Sequence, residues 1–310
     1  MTATPHPAAT IVLLRDAPDG LQTFMVRRPD TASFLAGAQV FPGGRVDPAD
    51  GDPAWSDAAT WPSGPDALRP GRDPVARAAL VAAVRELFEE AGVLLARPVH
   101  PCAPTDGAPA DVASGDGLLG AREEAALSAA RPQVHGGSTA LLDVCRRARW
   151  RLALDWLLPM CRWVTPPIES RRFDTRFFLA QAPRDQAAAA DGVEAVAGTW
   201  VRPTDALAAH QAGTVTLWPP TLRTIEDLAA CASVEAARAL TRDTPFRVIA
   251  PRVFVEAGRR FLLLPGDPLA PVRAARDALP PPTRFVEVSG RWVSEGASTA
   301  GAGLETVSDR

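Results

Sequence analysis

Nine consecutive residues, Arg85-Glu86-Leu87-Phe88-Glu89-Glu90-Ala91-Gly92-Val93, constrain this chain more than any other stretch. On a helix at 100° per residue, Glu86, Glu89 and Glu90 share one arc of roughly 100°. Three carboxylates so placed repel one another, and a divalent cation between them turns repulsion into binding. Oxygen-only ligands suit magnesium or manganese, which also accept phosphate oxygens. Leu80, Val84, Leu87 and Ala91 recur at the spacing of a core-facing stripe, so the opposite face is anchored. Ala78, Ala79 and Ala82 fall on the acidic side, where small residues leave room for a ligand. Asp73 as N-cap and Pro74 at the first helical position open this helix, and Gly92 closes it. A solvated acidic patch on a surface helix explains Glu89-Glu90 taken alone. It explains the whole string, preceded by Pro42-Gly43-Gly44, far less well.

The rest of the chain reads as a mixed αβ protein. Residues 10–15 and 21–27 predict two strands joined at Ala17-Pro18-Asp19-Gly20, and Ala38 to Phe41 a third strand ended by Pro42-Gly43-Gly44. Residues 47–72, rich in Asp, Pro, Gly and Ala, read as a long surface insertion. Val93 to Ala96 reads as a strand, with a low-complexity loop after it to about Gly117. Helices are expected near 119–130 and 138–158, the second with Leu142, Cys145, Ala148, Leu152 and Trp156 at helical spacing. Strands follow at 162–165, 173–180 and 193–201, helices near 204–211 and 219–240, and a strand pair at 247–256 and 260–264. The expected organisation is a main domain over 1–240 with insertions at about 47–72 and 97–160. A C-terminal extension follows over 241–295, and the Gly/Ser/Thr-rich tail over 296–310 is expected to be disordered.

Composition excludes several classes. A net charge of −3 gives no basic footprint for duplex nucleic acid. All 33 basic residues are Arg. Cys102, Cys145, Cys161 and Cys231 are scattered, without a CxxC pair, which argues against a zinc site or a disulfide scaffold. The start of the chain does not read as a signal peptide, and no apolar run is long enough to span a membrane. A cytoplasmic, reduced enzyme is the expectation. His6, His100, His135 and His210 have no evident partner and read as surface residues. Oligomeric state is not legible.

The nine-residue string resembles the second half of the Nudix box at every position, and Val40-Phe41-Pro42-Gly43-Gly44 resembles its start. In the box pattern a Glu follows the Gly after five residues and an Arg follows after seven more. Here Gly44 and Arg85 are 41 apart rather than 14, so an insertion of 27 residues splits the box. A gapless alternative through Gly71 puts Arg77 where the Glu belongs; Gly43-Gly44, after an apolar strand, is taken as the start. Either way the first box Glu reads as missing or displaced. A split box with Phe34-x-x-Gly37 before it, with Trp163-Val164-Thr165-Pro166 and Arg172-Phe173-Asp174-Thr175-Arg176-Phe177-Phe178 after it, is similar to one Nudix branch. That branch contains the peroxisomal and mitochondrial coenzyme A diphosphatase, and the resemblance covers roughly residues 9–230.

The resemblance implies an α/β (α+β) fold, an αβα sandwich around a mixed sheet with helical insertions and a small C-terminal extension. It implies Mg2+ or Mn2+ held by Glu86, Glu89 and Glu90, with Arg85 orienting the glutamates, and catalysis by Glu86, Glu89 and Arg85. Gly43 and Gly44 would shape the substrate loop. A box glutamate or Glu194 would serve as general base. Arg172, Asp174 and Arg176 alternate onto one strand face; the two arginines either bind substrate phosphates or form a salt-bridge ladder. The implied reaction is hydrolysis of a nucleoside diphosphate-linked small molecule, with CoA or acyl-CoA leading and ADP-ribose or a dinucleotide as alternative. A non-catalytic nucleotide-sensing module is the reading from another class.

Overall fold

The computed structural model describes residues 3–32, 35–62, 74–99, 117–137, 139–192, 195–270 and 278–295. Phe34, Gly71, Asp73, His100, Cys102, Glu194 and the tail from 296 therefore lie outside the described residues. Strand β1 (His6–Ala17) is the spine. Its alternation sends Ala9, Ile11 and Leu13 into one core and Val12 and Leu14 into another. β2 (Gly20–Arg27) returns antiparallel across the predicted turn. On the other side β9 (Phe173–Gln181) runs parallel to β1, β8 (Leu158–Val164) antiparallel to β9, and β11 (Arg247–Ile249) parallel to β8. β10 (Ala197–Val201) borders β2, while β3 (Gln39–Val40) pairs with β2 and β4 (Gly43–Arg45) with β1, completing an eight-stranded mixed sheet.

Helices cover both faces. α2 (Pro74–Ala91) packs on the side of Ala9 and Ile11, after the short α1 (Trp55–Ala58). α5 (Pro203–Ala212), α6 (Pro219–Ala229) and α7 (Val234–Asp243) pack on the side of Val12 and Leu14. This is the expected αβα sandwich. Leu80, Val84, Leu87 and Ala91 are fully buried, as their spacing predicts. Phe88 is buried as well. Each large apolar side chain contributes about 1.5–3 kcal/mol by burial. Ala79 and Ala82 are equally enclosed, which corrects the expectation of open space above them. A 3-10 turn, Pro48–Gly51, packs on that side of α2, with Gly51 over the Ala78 methyl.

Several local readings change for tertiary reasons. Pro42-Gly43-Gly44 starts a strand rather than ending one, because Gly43, without a side chain, lets β4 lie close against Thr10. The stretch read as surface insertion is partly core, since Trp55 is 3% exposed and β5 (Ala59–Thr60) joins a small sheet. That sheet runs β5, β7 (Trp150–Ala153), β6 (Ala96–Pro98). The predicted 138–158 helix is therefore only α4 (Leu141–Ala148). Arg149 turns left-handed at φ 57, and Leu152 pairs with Ala59 and Ala96 instead of continuing the helical stripe. α3 (Glu124–His135) fills the 119–130 prediction with a shift. The expected 219–240 helix is two, with Ser233 capping α7 through the Ala236 N–H.

A second sheet, missed beyond its first pair, follows β11: β12 (Arg252–Glu256), β13 (Arg259–Leu263), β14 (Arg284–Val288) and β15 (Arg291–Glu295). His210 on α5 docks it, and is buried rather than on the surface. Its Nδ1 accepts from the Leu217 N–H, and Nε2 faces the Trp292 carbonyl at 2.7 Å. Among the described residues Cys145, Cys161 and Cys231 are free thiols, and no helix is long and apolar enough to cross a membrane.

Candidate active site

The last two turns of α2 carry the acidic string, and Arg85 is its hub. Its Nε and Nη2 donate to the two oxygens of Asp50 at 2.9 and 3.0 Å, a bidentate pair. Nη2 also donates to the Arg45 carbonyl at 2.8 Å. Nη1 donates to Glu86 Oε1 at 2.9 Å and to Glu89 at 3.2 Å, and Asp47 stands 3.7 Å from Nη2. One guanidinium thus faces four carboxylates. Burial works against its charge, but Asp50, Glu86 and Glu89 outweigh burial and hold its pKa above the ordinary arginine value. Burial also pushes the carboxyls of Asp50 and Glu89 above the usual range, with Arg85 pulling each back.

Asp50 is the residue the sequence reading missed. It lies on the Pro48–Gly51 turn at 3% exposure, inside the stretch read as insertion. A signal was present: five residues separate Asp50 from Gly44, the spacing at which the box pattern has its Glu. The 27-residue insertion therefore falls between Asp50 and Arg85. Where the first box Glu reads as missing or displaced stands an acid one methylene shorter, gripped by Arg85. Arg77, the rival occupant of that position, instead stacks over Trp61 at 4.0 Å.

Gly43 and Gly44 let β4 approach the acidic face of α2 closely. The Gly43 N–H donates to Glu90 Oε2 at 2.9 Å. A Cβ built on Gly44 would fall 2.5–2.7 Å from the Glu86 carboxylate, so any side chain there would displace it. Glu86 and Glu90 are 7% and 3% exposed. Register places Gly44 beside Ala9, and Ala9 beside Arg176. Arg176 is buried on the α2-facing side of the sheet with Phe178, and Arg162 is its partner on β8. Arg162 pairs with Asp174, so part of this face is a salt-bridge ladder. Arg172 is placed otherwise: it donates to the carbonyls of Thr165 and Ala3.

The C-terminal end of α2 is enclosed by α3 and by residues 184–192. Gln186 bridges Leu94 and Leu119, and the Ala189 N–H donates to the Ala91 carbonyl. His135, half-buried at the end of α3, lies 3.5 Å from Asp191.

The sequence profile of the NUDT19 Nudix domain matches residues 71–228. The chain belongs to this family. The matched segment contains α2 and β8 to β10 but begins downstream of Gly43, Gly44 and Asp50, so those three enter by geometry. The chain is similar to the acyl-coenzyme A diphosphatase NUDT19 of Homo sapiens, at 29% identity over 287 residues, 81% of this chain and 72% of that protein. The protein of the same name from Gallus gallus is 29% identical over 293 residues, 82% of this chain and 74% of that protein. Among solved structures, a NUDIX hydrolase from Alicyclobacillus acidocaldarius has a TM-score of 0.60 and 29% identity, over 77% of this chain and 97% of that one. The chain is a Nudix hydrolase.

Nudix hydrolases as a group use a divalent cation. Among the described residues no three carboxylate, imidazole or thiolate groups converge on one point, since Arg85 holds Glu86 and Glu89 while the Gly43 N–H holds Glu90. The donor set nevertheless fits a hard cation. It is oxygen-only, enclosed and over-supplied with negative charge, and Gly44 keeps the space before Glu86 clear of a side chain.

Proposed function

We propose that this Nudix hydrolase is a CoA or acyl-CoA diphosphatase that works with Mg2+ or Mn2+. The observation that carries the hydrolytic reading is the pair Glu86 and Glu89 held by an Arg85 that Asp50 locks in place, with Glu90 held beside them by the Gly43 N–H. The CoA assignment rests on likeness to the acyl-coenzyme A diphosphatases over most of both chains.

Glu86, Glu89 and Glu90 would hold the cation. When bound, a divalent ion supplies charge neutralisation for a phosphoanhydride. The chain's own groups do the positioning. Asp50 fixes the guanidinium plane of Arg85, and Arg85 fixes the carboxylates of Glu86 and Glu89. The Gly43 N–H fixes Glu90. Arg176, across β1 from Gly44 on the same face, is assigned to substrate phosphate oxygens. Arg172, engaged with two backbone carbonyls, is assigned to holding the Ala3 and Thr165 segments together. Proton removal from the attacking water is assigned to one of the box glutamates or to Glu194; a kcat–pH profile of E194Q that keeps its acidic limb assigns it to the box. The sensing-module reading drew on the displaced first box Glu, and an Asp50 at that position gripped by Arg85 weighs against it.

Hydrolysis of CoA, an acyl-CoA, ADP-ribose, NADH and a nucleoside triphosphate, each with Mg2+, Mn2+ or EDTA, tests the proposal. Metal-dependent cleavage of CoA compounds is the expected result. Cleavage of another member alone overturns the substrate, and full activity of an E89Q/E90Q double variant overturns the site.

A further inference from the structure

Glu89 and Glu90 lie in the final turn of α2, where carbonyls lack intrahelical partners and the helix dipole adds negative charge. Arg131 on α3 answers both. Its Nε donates to the Glu89 carbonyl at 3.0 Å and its Nη2 to the Ala189 carbonyl at 2.9 Å. The Ala189 N–H in turn donates to the Ala91 carbonyl at 2.9 Å. One guanidinium therefore ties three segments together at the end of the acidic helix. Gly92 makes room for it. A Cβ there would stand 2.9 Å from Arg131 Nη1, so this glycine serves the close approach as well as its positive φ of 73°. Burial lowers the pKa of Arg131, while Asp191 and Glu90 resist that shift.

We propose that Arg131 is a positioning residue for the cation site: by anchoring the Glu89 carbonyl it sets where the Glu89 and Glu90 carboxylates stand. The inference rests on the reading that these glutamates bind a cation. Its sign separates it from simple electrostatics. A positive charge near Glu90 repels a second cation, so through-space repulsion predicts that removing Arg131 tightens metal binding. Positioning predicts the reverse. It also predicts that Lys, which keeps the charge but lacks the planar fork, fails to restore affinity.

The test is Mn2+ titration followed by electron paramagnetic resonance on the wild-type chain, R131Q, R131K and E90Q, with thermal melts of each metal-free protein. The expected result is Mn2+ affinity weakened about 10- to 100-fold in both Arg131 variants, and weakened in E90Q. Affinity in R131Q equal to or tighter than wild type overturns the inference, as does a lowered melting temperature with unchanged affinity. If R131Q does not fold, R131K decides by the same criterion. Wild-type affinity in E90Q would instead overturn the cation-site reading itself, so the two failures are distinct.

Discussion

Two buried arginine–aspartate pairs, Arg85–Asp50 and Arg284–Asp267, use the same chemistry to different ends. In each, Nε and Nη2 grip both carboxylate oxygens, between 2.9 and 3.1 Å. Arg284–Asp267, in the C-terminal sheet, is closed. Thr283 adds a hydroxyl, and the two side chains are 6% and 0% exposed. Arg85–Asp50 is open-ended, because the same guanidinium also meets Glu86, Glu89 and Asp47. One positive charge among four negative ones leaves an excess that invites a cation. A buried ion pair by itself says little about function; its surplus charge says more.

The sharpest way to break this contrast is to remove each arginine. R85Q and R284Q should each lose about 3–5 kcal/mol of stability without metal, since each leaves buried carboxylate uncompensated. Added Mg2+ should raise the melting temperature of R85Q and leave that of R284Q unchanged. Equal recovery, or none in either, would remove the distinction. The next largest effect is on the aspartates. D50N should lower kcat/KM about 10- to 100-fold, as loss of a group supporting a ligand does. D267N should leave kcat/KM per folded molecule unchanged while lowering thermal stability. Steady-state kinetics beside melts of both variants checks this.

The two regions also differ in how far the sequence revealed them. α2 was legible because its carboxylates, apolar stripe and terminal glycine agree; the structure buries the stripe and ends the helix at Gly92 as their spacing implies. Asp50 was not read. It sits in a run of Asp, Pro, Gly and Ala that resembles loop, and Asp stands where Glu was sought. Arg131 carried no signal, since its partners are the backbone carbonyls of Glu89 and Ala189, set by tertiary approach alone. In the C-terminal sheet, the β14–β15 hairpin did carry one. Phe285-Val286-Glu287-Val288 and Arg291-Trp292-Val293 flank Ser289-Gly290, both at positive φ, the signature of a two-residue hairpin turn. The 138–158 helix was over-extended because helical spacing continues through Leu152, while strand pairing with Ala59 and Ala96 decides its backbone.

A smaller effect sharpens the site side of the contrast. Gly44→Ala brings a methyl to within 2.7 Å of the Glu86 carboxylate and forces that side chain away from its contact with Arg85. The expected outcome is weaker Mg2+ activation, read as a raised apparent constant for metal in the hydrolysis assay, with melting temperature changed less than in R85Q. Unchanged metal activation would mean that the approach to Glu86 does not matter.

The smallest effect concerns Glu226 on α6, where charge is buried without surplus. Burial raises its carboxyl above the ordinary range, with Ser294 and Arg223 opposing, and its Oε2 has no hydrogen-bond partner. The folded chain therefore holds that proton more tightly than the unfolded chain. Between the unfolded pKa and the raised folded one, stability falls as pH rises, and above the folded pKa the loss is constant. E226Q keeps the shape and removes the charge. Its melting temperature relative to wild type should be higher at pH 8, and the difference should shrink toward zero as pH falls below the ordinary glutamate range. Metal should not alter that difference, in contrast with R85Q. A difference independent of pH would mean that Glu226 is stabilised by Arg223 as fully as Asp267 is by Arg284, and that charge surplus is confined to the end of α2.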